Sequence, residues 1–287
     1  NNTNYGLTAG LESLDKREQD YWIKHINAGN LYINKAITGA IVGRQPFGGY
    51  GLSSFGPSIK TGGELYVNQF VNFDSNKLFL KKDFPSNHSF VNFISTLEND
   101  LSVDKANYES LWHQLVKAAN SYSYYYLNRF VHEQPTQKLL GEKNIIRYLP
   151  VGNVLIFLQE AHSLVDYFQM IIAALICKNK VYIKCESNKI FQDFEILNYP
   201  VLKRVLERCV LINKTSESGD EFLTSIDMVR VIDQSLVNDN FLARLAKNKT
   251  YIQAGMPICD GQIELVKYLK EQSISKTIHR FGNKIED

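Results

Sequence analysis

The 287-residue sequence lacks a long hydrophobic run and an excess of either charge. Its longest apolar segment, around residues 171–176, ends at Cys177 and Lys178 and falls short of the roughly 18 apolar residues that span a bilayer. Lys and Arg total 32 against 30 Asp and Glu, so the sequence presents no extended phosphate-binding surface. We therefore expect no membrane span, no nucleic acid partner for this segment and a cytoplasmic location.

Motifs for metal binding or nucleophilic catalysis are also missing. No GxSxG is present, GPSIKT at 56–61 does not have Walker spacing, and the six histidines are not spaced as metal ligands. The four cysteines have no CxxC spacing and are predicted to be reduced, mostly buried thiols: Cys177, Cys185, Cys209 and Cys259. The residues of this chain therefore predict no catalytic nucleophile, no acid–base pair and no metal site.

Glycine, in contrast, is concentrated in residues 36–63, which hold eight of the 17 glycines. Glycine at this density allows backbone with φ > 0 or a close approach to a ligand or another chain. Consecutive N–H groups near Gly39 and Ala40 could form a concave nest for a carboxylate, and Phe47 could contact the aliphatic part of such a ligand. The alternative is that the glycines serve only the folding of the loop, and the residues alone favour neither.

Around this loop, the first 73 residues predict a mixture of helix and strands. Ser13 is predicted to cap a helix that ends near Gly29, with Trp22 and Ile26 on its apolar face. Residues 29–34 are predicted to be a strand, and the alternation over 64–73 predicts another, suited to pairing with a second subunit.

Beyond residue 73 the pattern becomes helical and then alternates between strands and helices. Residues 74–140 are interpreted as a helical linker. Apolar runs at 154–158 and 181–185 flank a helix at 164–177 and, with the further alternation that follows, predict a Rossmann-like parallel sheet over 141–256. The turn after the first run, QEAHS, has no glycine for a pyrophosphate, so no nucleotide site is expected there. From residue 261 we predict an amphipathic helix followed by an extended polar segment.

Two sets of motifs resemble known families. GLTAGLESLD, AGNLYIN and TGAIVGRQPFGGYGLSSFGP resemble the end of an aldehyde dehydrogenase catalytic domain, in particular the glutamate-γ-semialdehyde (pyrroline-5-carboxylate) dehydrogenase branch. GEKNIIRYLP at 141–150, with IELVKYLKEQSIS and HRFGN within 263–283, is similar to the C-terminal extension of the bifunctional proline-utilisation enzymes.

The predicted fold class is therefore α/β, the tail of an aldehyde dehydrogenase catalytic domain followed by a Rossmann-like parallel-sheet domain. The predicted domains are the end of a catalytic domain, with an anchor loop and an oligomerisation-flap strand, over 1–73, and a helical linker over 74–140. A Rossmann-like domain without a nucleotide site follows over 141–256, and a terminal lid motif over 257–287.

The resemblance implies NAD-dependent oxidation of glutamate semialdehyde to glutamate through a cysteine thiohemiacetal. In the bifunctional form it also implies an FAD-dependent proline dehydrogenase and a channel between the two sites. Within this chain it implies that Gly39 and Ala40 bind the substrate carboxylate, that Phe47 packs against the substrate and that residues 64–73 mediate homo-oligomerisation. It further implies lid contacts by Glu271, Gln272, His279 and Arg280.

The catalytic cysteine and the NAD-binding unit of such enzymes precede the stretch that corresponds to Asn1, so we expect a piece of a longer protein that is inactive by itself. The strand at 29–34 would then have exposed edges, and residues 1–72 would be partly disordered or non-natively paired. Two alternatives remain: a single-function dehydrogenase with the same extension, and a free-standing scaffold or oligomerisation module that catalyses nothing.

Overall fold

A computed structural model describes residues 1–54, 56, 58–71, 73, 89–102, 109–185, 187, 199–212, 220–280 and 283–284. The chain forms two compact units, each assembled from separated stretches of sequence. The first comprises Asn1–Asn72, Arg129–Leu149 and Lys270–Asp287, and the second comprises Phe73–Asn128 and Pro150–Leu269. These units cross the predicted domain boundaries, because residues from the middle and the end of the chain complete the sheet that the first residues begin.

The first unit is built on a five-stranded sheet of order β2-β3-β12-β6-β5. Strand β3 is parallel to both β2 and β12. The elements of this unit are β1 (Tyr5–Gly6), β2 (Thr8–Leu11), α1 (Lys16–His25), β3 (Asn30–Ile33), β4 (Tyr50–Gly51), a 3-10 helix (Tyr66–Phe70), a π-helix (Tyr126–Phe130), which begins in the other unit, β5 (Gln134–Pro135), β6 (Glu142–Pro150), β12 (Leu269–Thr277), β13 (His279–Arg280) and β14 (Asn283–Lys284).

Helix α1 packs its apolar face on this sheet, as the sequence predicts. Trp22, Ile23 and Ile26 lie against a core cluster made of Ala28, Leu31, Ile33, Ile145 and Ile274. The cap differs from the prediction. Asp15, and not Ser13, is the N-cap, because its carboxylate accepts the Arg17 N–H at 2.8 Å. The helix ends at His25, and Ile26 is its C-cap.

The exposed edges that we expected for β3 are absent, since β2 and β12 pair with it on its two sides. Its second neighbour, β12, is part of the tail for which we predicted a helix and an extended polar segment. Helical structure there stops early, with α8 (Gly261–Glu264) and a 3-10 turn (Leu265–Tyr268), and Leu269 begins the strand. The polar residues in the middle of β12 are buried, although their composition is typical of an exposed segment: Glu271, Gln272, Ser273 and Ser275. The Gln272 and Ser275 side chains are hydrogen-bonded in the interior.

The strand predicted over 64–73 is also wrong, because Tyr66–Phe70 is a 3-10 helix. A turn at Gly62, with φ of +79°, precedes it. The Tyr66 N–H then bonds the Gly63 carbonyl and the Asn68 N–H bonds the Leu65 carbonyl, both of them i→i+3 bonds. These local bonds override the alternating pattern.

The second unit contains a five-stranded parallel sheet of order β11-β10-β7-β8-β9. In chain order this is 5-4-1-2-3, a doubly wound arrangement, so the predicted Rossmann-like sheet is confirmed. Its elements are α2 (Ser89–Ser102), α3 (Glu109–Tyr125), β7 (Asn153–Leu158), α4 (Leu164–Ile176), β8 (Lys180–Cys185), α5 (Pro200–Leu206), β9 (Val210–Ile212), α6 (Asp220–Thr224), β10 (Met228–Arg230), a 3-10 turn (Gln234–Leu236), α7 (Asp239–Lys247), β11 (Tyr251–Gln253) and α8.

Helices α2 and α3 fall within the stretch predicted as a linker, yet they belong to this unit. Helix α3 packs against α2, α4 and α8, and its residues Leu115, Ala118 and Ala119 are almost completely buried. Strand β6, which the prediction placed in the Rossmann-like domain, hydrogen-bonds instead in the sheet of the first unit. Among the helices that the structure describes, none has the length and apolar character needed to cross a membrane.

Candidate functional site: the glycine-rich loop

The glycine-rich stretch leaves the sheet after β3 and is closed on itself by a short antiparallel bridge. The Phe47 N–H donates to the Thr61 carbonyl and the Thr61 N–H donates to the Phe47 carbonyl, both at 2.9 Å. Strand β4 lies inside this closure and pairs with β1. The bridge places Phe47 at the base of the loop, half-buried.

Gly39 and Ala40 lie in the exposed part of the loop. Gly39 has φ of +83°, a left-handed conformation that favours glycine. Within the part of the chain that the structure describes, neither residue's backbone N–H donates a hydrogen bond. Two successive amides are thus open to solvent, which is what a backbone anion site requires.

A partly buried ion cluster holds this loop at two points. Glu142, on β6, accepts Lys35 Nζ at 2.7 Å through Oε1 and Arg44 Nε at 2.9 Å through Oε2, and Arg44 Nη2 also contacts Oε1. Burial by itself raises the pKa of the Glu142 carboxyl, but the bonds from Arg44, Lys35 and Asn144 outweigh it and lower the pKa to about 2. Glu142 is therefore ionised at every physiological pH.

A second polar contact fixes the far end of the loop to β12. Lys60 is fully buried; its N–H donates to Glu271 Oε2 at 2.6 Å, and its Nζ bonds the Gly48 carbonyl. Burial raises the pKa of Glu271 to about 7 and lowers the pKa of Lys60 to about 7. Within the described part of the chain, Glu271 Oε1 has no hydrogen-bond partner.

The four predicted lid residues divide into two groups. Glu271 and Gln272 are interior residues of β12, 2% and 0% exposed. The Gln272 side chain accepts Arg147 Nε at 2.7 Å and donates to the Ala28 carbonyl at 2.7 Å. His279 and Arg280 form β13, which pairs with β14. The structure thus brings Glu271 to the glycine-rich loop, through Lys60.

The first strand-to-helix turn of the second unit ends in a capping box. Ser163 caps α4, its Oγ accepting the Asp166 N–H at 3.3 Å, while Asp166 Oδ2 accepts the Ser163 N–H at 3.2 Å. This capping box places a carboxylate where a pyrophosphate would need the helix amides. This carboxylate and the lack of glycine both make the turn a poor phosphate site, and the absence of a nucleotide site there stays a prediction.

Residues 1–75, which include the whole glycine-rich loop, match the sequence model of the aldehyde dehydrogenase family. This segment is similar to members of the aldehyde dehydrogenase family. It is 52% identical over 71 residues to the bifunctional protein PutA of Rhizobium meliloti, covering 25% of this chain and 6% of that protein. It is 45% identical over 67 residues to the 1-pyrroline-5-carboxylate dehydrogenase of Bacillus subtilis, covering 23% of this chain and 13% of that one.

The structural comparison extends beyond the aldehyde dehydrogenase segment. Proline utilization A (PutA) from Corynebacterium freiburgense superposes on 98% of this chain with a TM-score of 0.65 and 25% identity, and the match covers 24% of that structure. The chain thus spans a minor part of the length of each of these relatives. The predicted resemblance and the α/β fold class are confirmed.

Three residues of the ion cluster were not identified from the sequence: Lys35, Arg44 and Glu142. Glu142 lies in the GEKN motif that carries the second resemblance, but its partner Arg44 is 98 residues away. Single charges separated by such a distance leave no periodic or local pattern. The motif itself was the one signal that could have drawn attention to Glu142.

Proposed function

We propose that this chain is part of an NAD-dependent L-glutamate γ-semialdehyde dehydrogenase, and that the glycine-rich loop binds the α-carboxylate of the substrate. The observation that carries the proposal is the pair of open amides at Gly39 and Ala40, within the segment most similar to PutA and 1-pyrroline-5-carboxylate dehydrogenases. An oxyanion held by two backbone N–H groups needs no charged side chain, and the loop supplies none at these positions.

Phe47 complements this anchor. It is half-buried at the base of the loop and offers an aromatic surface for the aliphatic carbons of a semialdehyde. The anchored substrate then presents its aldehyde to the catalytic thiol of another part of the protein. NAD, bound by another part of the protein, would supply the hydride acceptor for this reaction. The role of this chain is to bind and orient, and the isolated chain is inactive.

The similarity to the bifunctional protein PutA supports a wider assignment. The full protein would oxidise proline to glutamate in the cytoplasm, with FAD serving a proline dehydrogenase and a channel passing the intermediate to the NAD-dependent site. Glu271, Gln272, His279 and Arg280 would act in the C-terminal lid of that channel.

Because β12 is an internal strand, deletion of residues 262–287 would disrupt the sheet. Substitution of His279 and Arg280 by Ala is the cleaner test, and we expect it to slow the coupled reaction without slowing either half-reaction.

Residues 64–73 are proposed as the homo-oligomerisation surface. The 3-10 helix exposes Val67 and Phe70 by 63% and 73%, an apolar surface that a partner copy would cover. Replacing both residues with Asp should dissociate the oligomer in sedimentation experiments. Val131→Asp, at another exposed apolar residue, is the control and should leave the oligomer intact.

The assay that tests the function compares the full-length protein with this chain alone. We expect the full-length protein to form NADH from L-glutamate γ-semialdehyde and the isolated chain to form none. NADH formation by the isolated chain would overturn the proposed division of roles. If the full-length protein also formed none, the alternative of a non-catalytic scaffold or oligomerisation module would replace the enzyme assignment.

A further inference from the structure

One carboxylate holds both sides of the exposed arc of the glycine-rich loop. Lys35 lies immediately before residues 36–43 and Arg44 immediately after them, and both side chains bond Glu142. Gly39 and Ala40 are at the centre of this arc. All three charged side chains are largely buried, with 19%, 23% and 15% exposure for Lys35, Arg44 and Glu142.

The cluster is supported from behind by neutral polar groups. Asn144 Nδ2 donates to Glu142 Oε2 at 3.1 Å, and the Ser275 hydroxyl donates to Asn144 Oδ1 at 2.7 Å. Lys35 Nζ also lies 3.2 Å from Ser275 Oγ. On the other side, the Thr136 hydroxyl donates to the Arg44 carbonyl at 2.8 Å. Glu142 therefore has its carboxylate oriented by β6 and β12 before any ligand arrives.

Among the described residues, the arc takes part in few other hydrogen bonds: the Arg44 and Gln45 N–H groups donate to the Ile41 carbonyl at 3.1 and 2.9 Å. Its apolar side chains Ile37, Ile41 and Val42 are 47%, 50% and 77% exposed. Gly39 and Gly43 both have φ near +80°, a conformation that glycine adopts easily. Because glycine also has many other conformations available, the arc would sample them if its two ends were released. Ordering such a segment when a ligand binds costs free energy that a pre-ordered loop avoids.

We infer that Glu142 is a positioning residue for substrate: by holding Lys35 and Arg44 it fixes residues 36–43 in the arrangement that presents the Gly39 and Ala40 amides to a carboxylate. This inference rests on the proposed function. It gives a role to the GEKN motif, because Glu142 and Asn144 both belong to the cluster, and it assigns to β6, outside the matched aldehyde dehydrogenase segment, a part in substrate binding. Glu142 touches no substrate and takes no part in the chemistry.

The first experiment needs no substrate. Trypsin must take a Lys or Arg side chain into its own pocket, so Lys35 and Arg44 are protected while they bond Glu142. In the full chain we expect Glu142→Gln to speed cleavage after Lys35 and Arg44 by about tenfold, in line with a lost charge-assisted pairing. Cleavage after exposed Arg17 is the internal reference, and cleavage after Arg147, which is partly buried on the internal strand β6, reports global unfolding. Glu12→Gln, an exposed carboxylate, is the matched control.

The second experiment uses the full-length protein and two aldehydes of equal length, one with and one without the α-carboxylate. Glu142→Gln should raise KM for L-glutamate γ-semialdehyde about tenfold, since a loosened loop binds less well. Its kcat should stay within about twofold, and KM for the aldehyde without the carboxylate should not change. Glu142→Asp keeps the charge but is one methylene shorter, and should give an intermediate KM.

The outcomes separate the inference from the function it rests on. Unchanged cleavage after Lys35 and Arg44 in Glu142→Gln, or faster cleavage with an unchanged KM, would overturn the positioning role. Equal KM increases for both aldehydes would do the same, because they would indicate a general structural defect. If the wild-type protein did not distinguish the two aldehydes, the carboxylate anchor itself would be refuted, whatever the cleavage rates.

Discussion

The backbone N–H of Lys60 donates a 2.6 Å hydrogen bond to the carboxylate of Glu271, a residue 211 positions further along the chain. Both side chains are almost completely buried, and the Tyr50 hydroxyl bonds the Glu271 carbonyl at 2.9 Å. The contact ties the end of the glycine-rich loop to β12. The Glu271 carboxyl and the Lys60 amine can each be charged or neutral at this buried site, so the stability of the first unit depends on pH.

Glu271 gives the sign of that dependence. Burial raises the pKa of Glu271 to about 7, well above the value of about 4.3 of an unfolded Glu. The folded state therefore holds the proton more tightly, and the stabilisation is complete below about pH 4.3 and is lost as the pH rises to about 7. The free energy of unfolding of the wild type should therefore fall by on the order of 1–3 kcal/mol between pH 5 and 7. We predict that Glu271→Gln, whose side chain is neutral at every pH, does not show this fall.

The measurement is urea unfolding of wild type and Glu271→Gln at several pH values from 5 to 7. Lys60 affects stability at higher pH. Burial lowers its pKa to about 7, so its contribution to the free energy of unfolding is lost as the pH falls from about 10.4 towards 7. This change lies above pH 7 and does not mask the Glu271 effect between pH 5 and 7. Glu12→Gln should follow the wild-type profile. Parallel profiles for wild type and Glu271→Gln would mean that Glu271 is ionised in the folded state throughout.

The interior position of β12 gives a second prediction. Ile274 is 4% exposed and packs with Leu31, Ile33 and Ile145. Ile274→Ala should lower the free energy of unfolding by about 2–4 kcal/mol, the usual cost of a cavity in a packed core. Leu140→Ala, at a side chain that is 98% exposed, is the control and should cost under about 0.5 kcal/mol. Equal costs in denaturant unfolding would contradict the placement of β12 in the core.

Arg230 provides a third prediction, in the second unit. Its fully buried guanidinium donates to the carbonyls of Val231 and Gly255 at 2.5 and 2.6 Å and lies 3.4 Å from Glu264 Oε1. Arg230→Met removes this donor from both carbonyls and takes the buried cation away from Glu264, whose Oε1 keeps only the Tyr268 hydroxyl at 3.1 Å. We therefore expect a loss of about 3–5 kcal/mol in the free energy of unfolding.

The control for this prediction is Arg204→Met. Arg204 is exposed and makes no ion pair with the residues that the structure describes, so its loss should change the unfolding midpoint little. Calorimetry or urea unfolding measures both variants. A stable Arg230→Met protein would indicate that the buried network adds nothing beyond the packing of its side chains.

The parallel sheet was predictable because its first strand holds the continuous apolar run at 154–158, and a helix and a second, largely apolar run at 181–185 follow it. Strand β12 was not, because its interior residues Gln272 and Ser275 are polar and find their partners more than 100 residues away. Sequence patterns record local periodicity, and these bonds are long-range. In the loop, the density of glycine and the family resemblance indicated Gly39. No sequence pattern near the loop indicated Glu142, which holds the loop through Lys35 and Arg44.

The central claim, that the glycine-rich loop binds the substrate carboxylate, is tested most directly by comparing two glycines in the full-length protein. Gly39 and Gly43 have φ of +83° and +76°, and a Cβ at either would meet nothing within 4 Å, so an Ala substitution strains both equally. We predict that Gly39→Ala raises KM for L-glutamate γ-semialdehyde by about tenfold or more, while Gly43→Ala changes it by less than about threefold. Neither should alter KM for the aldehyde that lacks the α-carboxylate. Equal effects of the two substitutions, or a Gly39→Ala effect that does not depend on the carboxylate, would contradict the account.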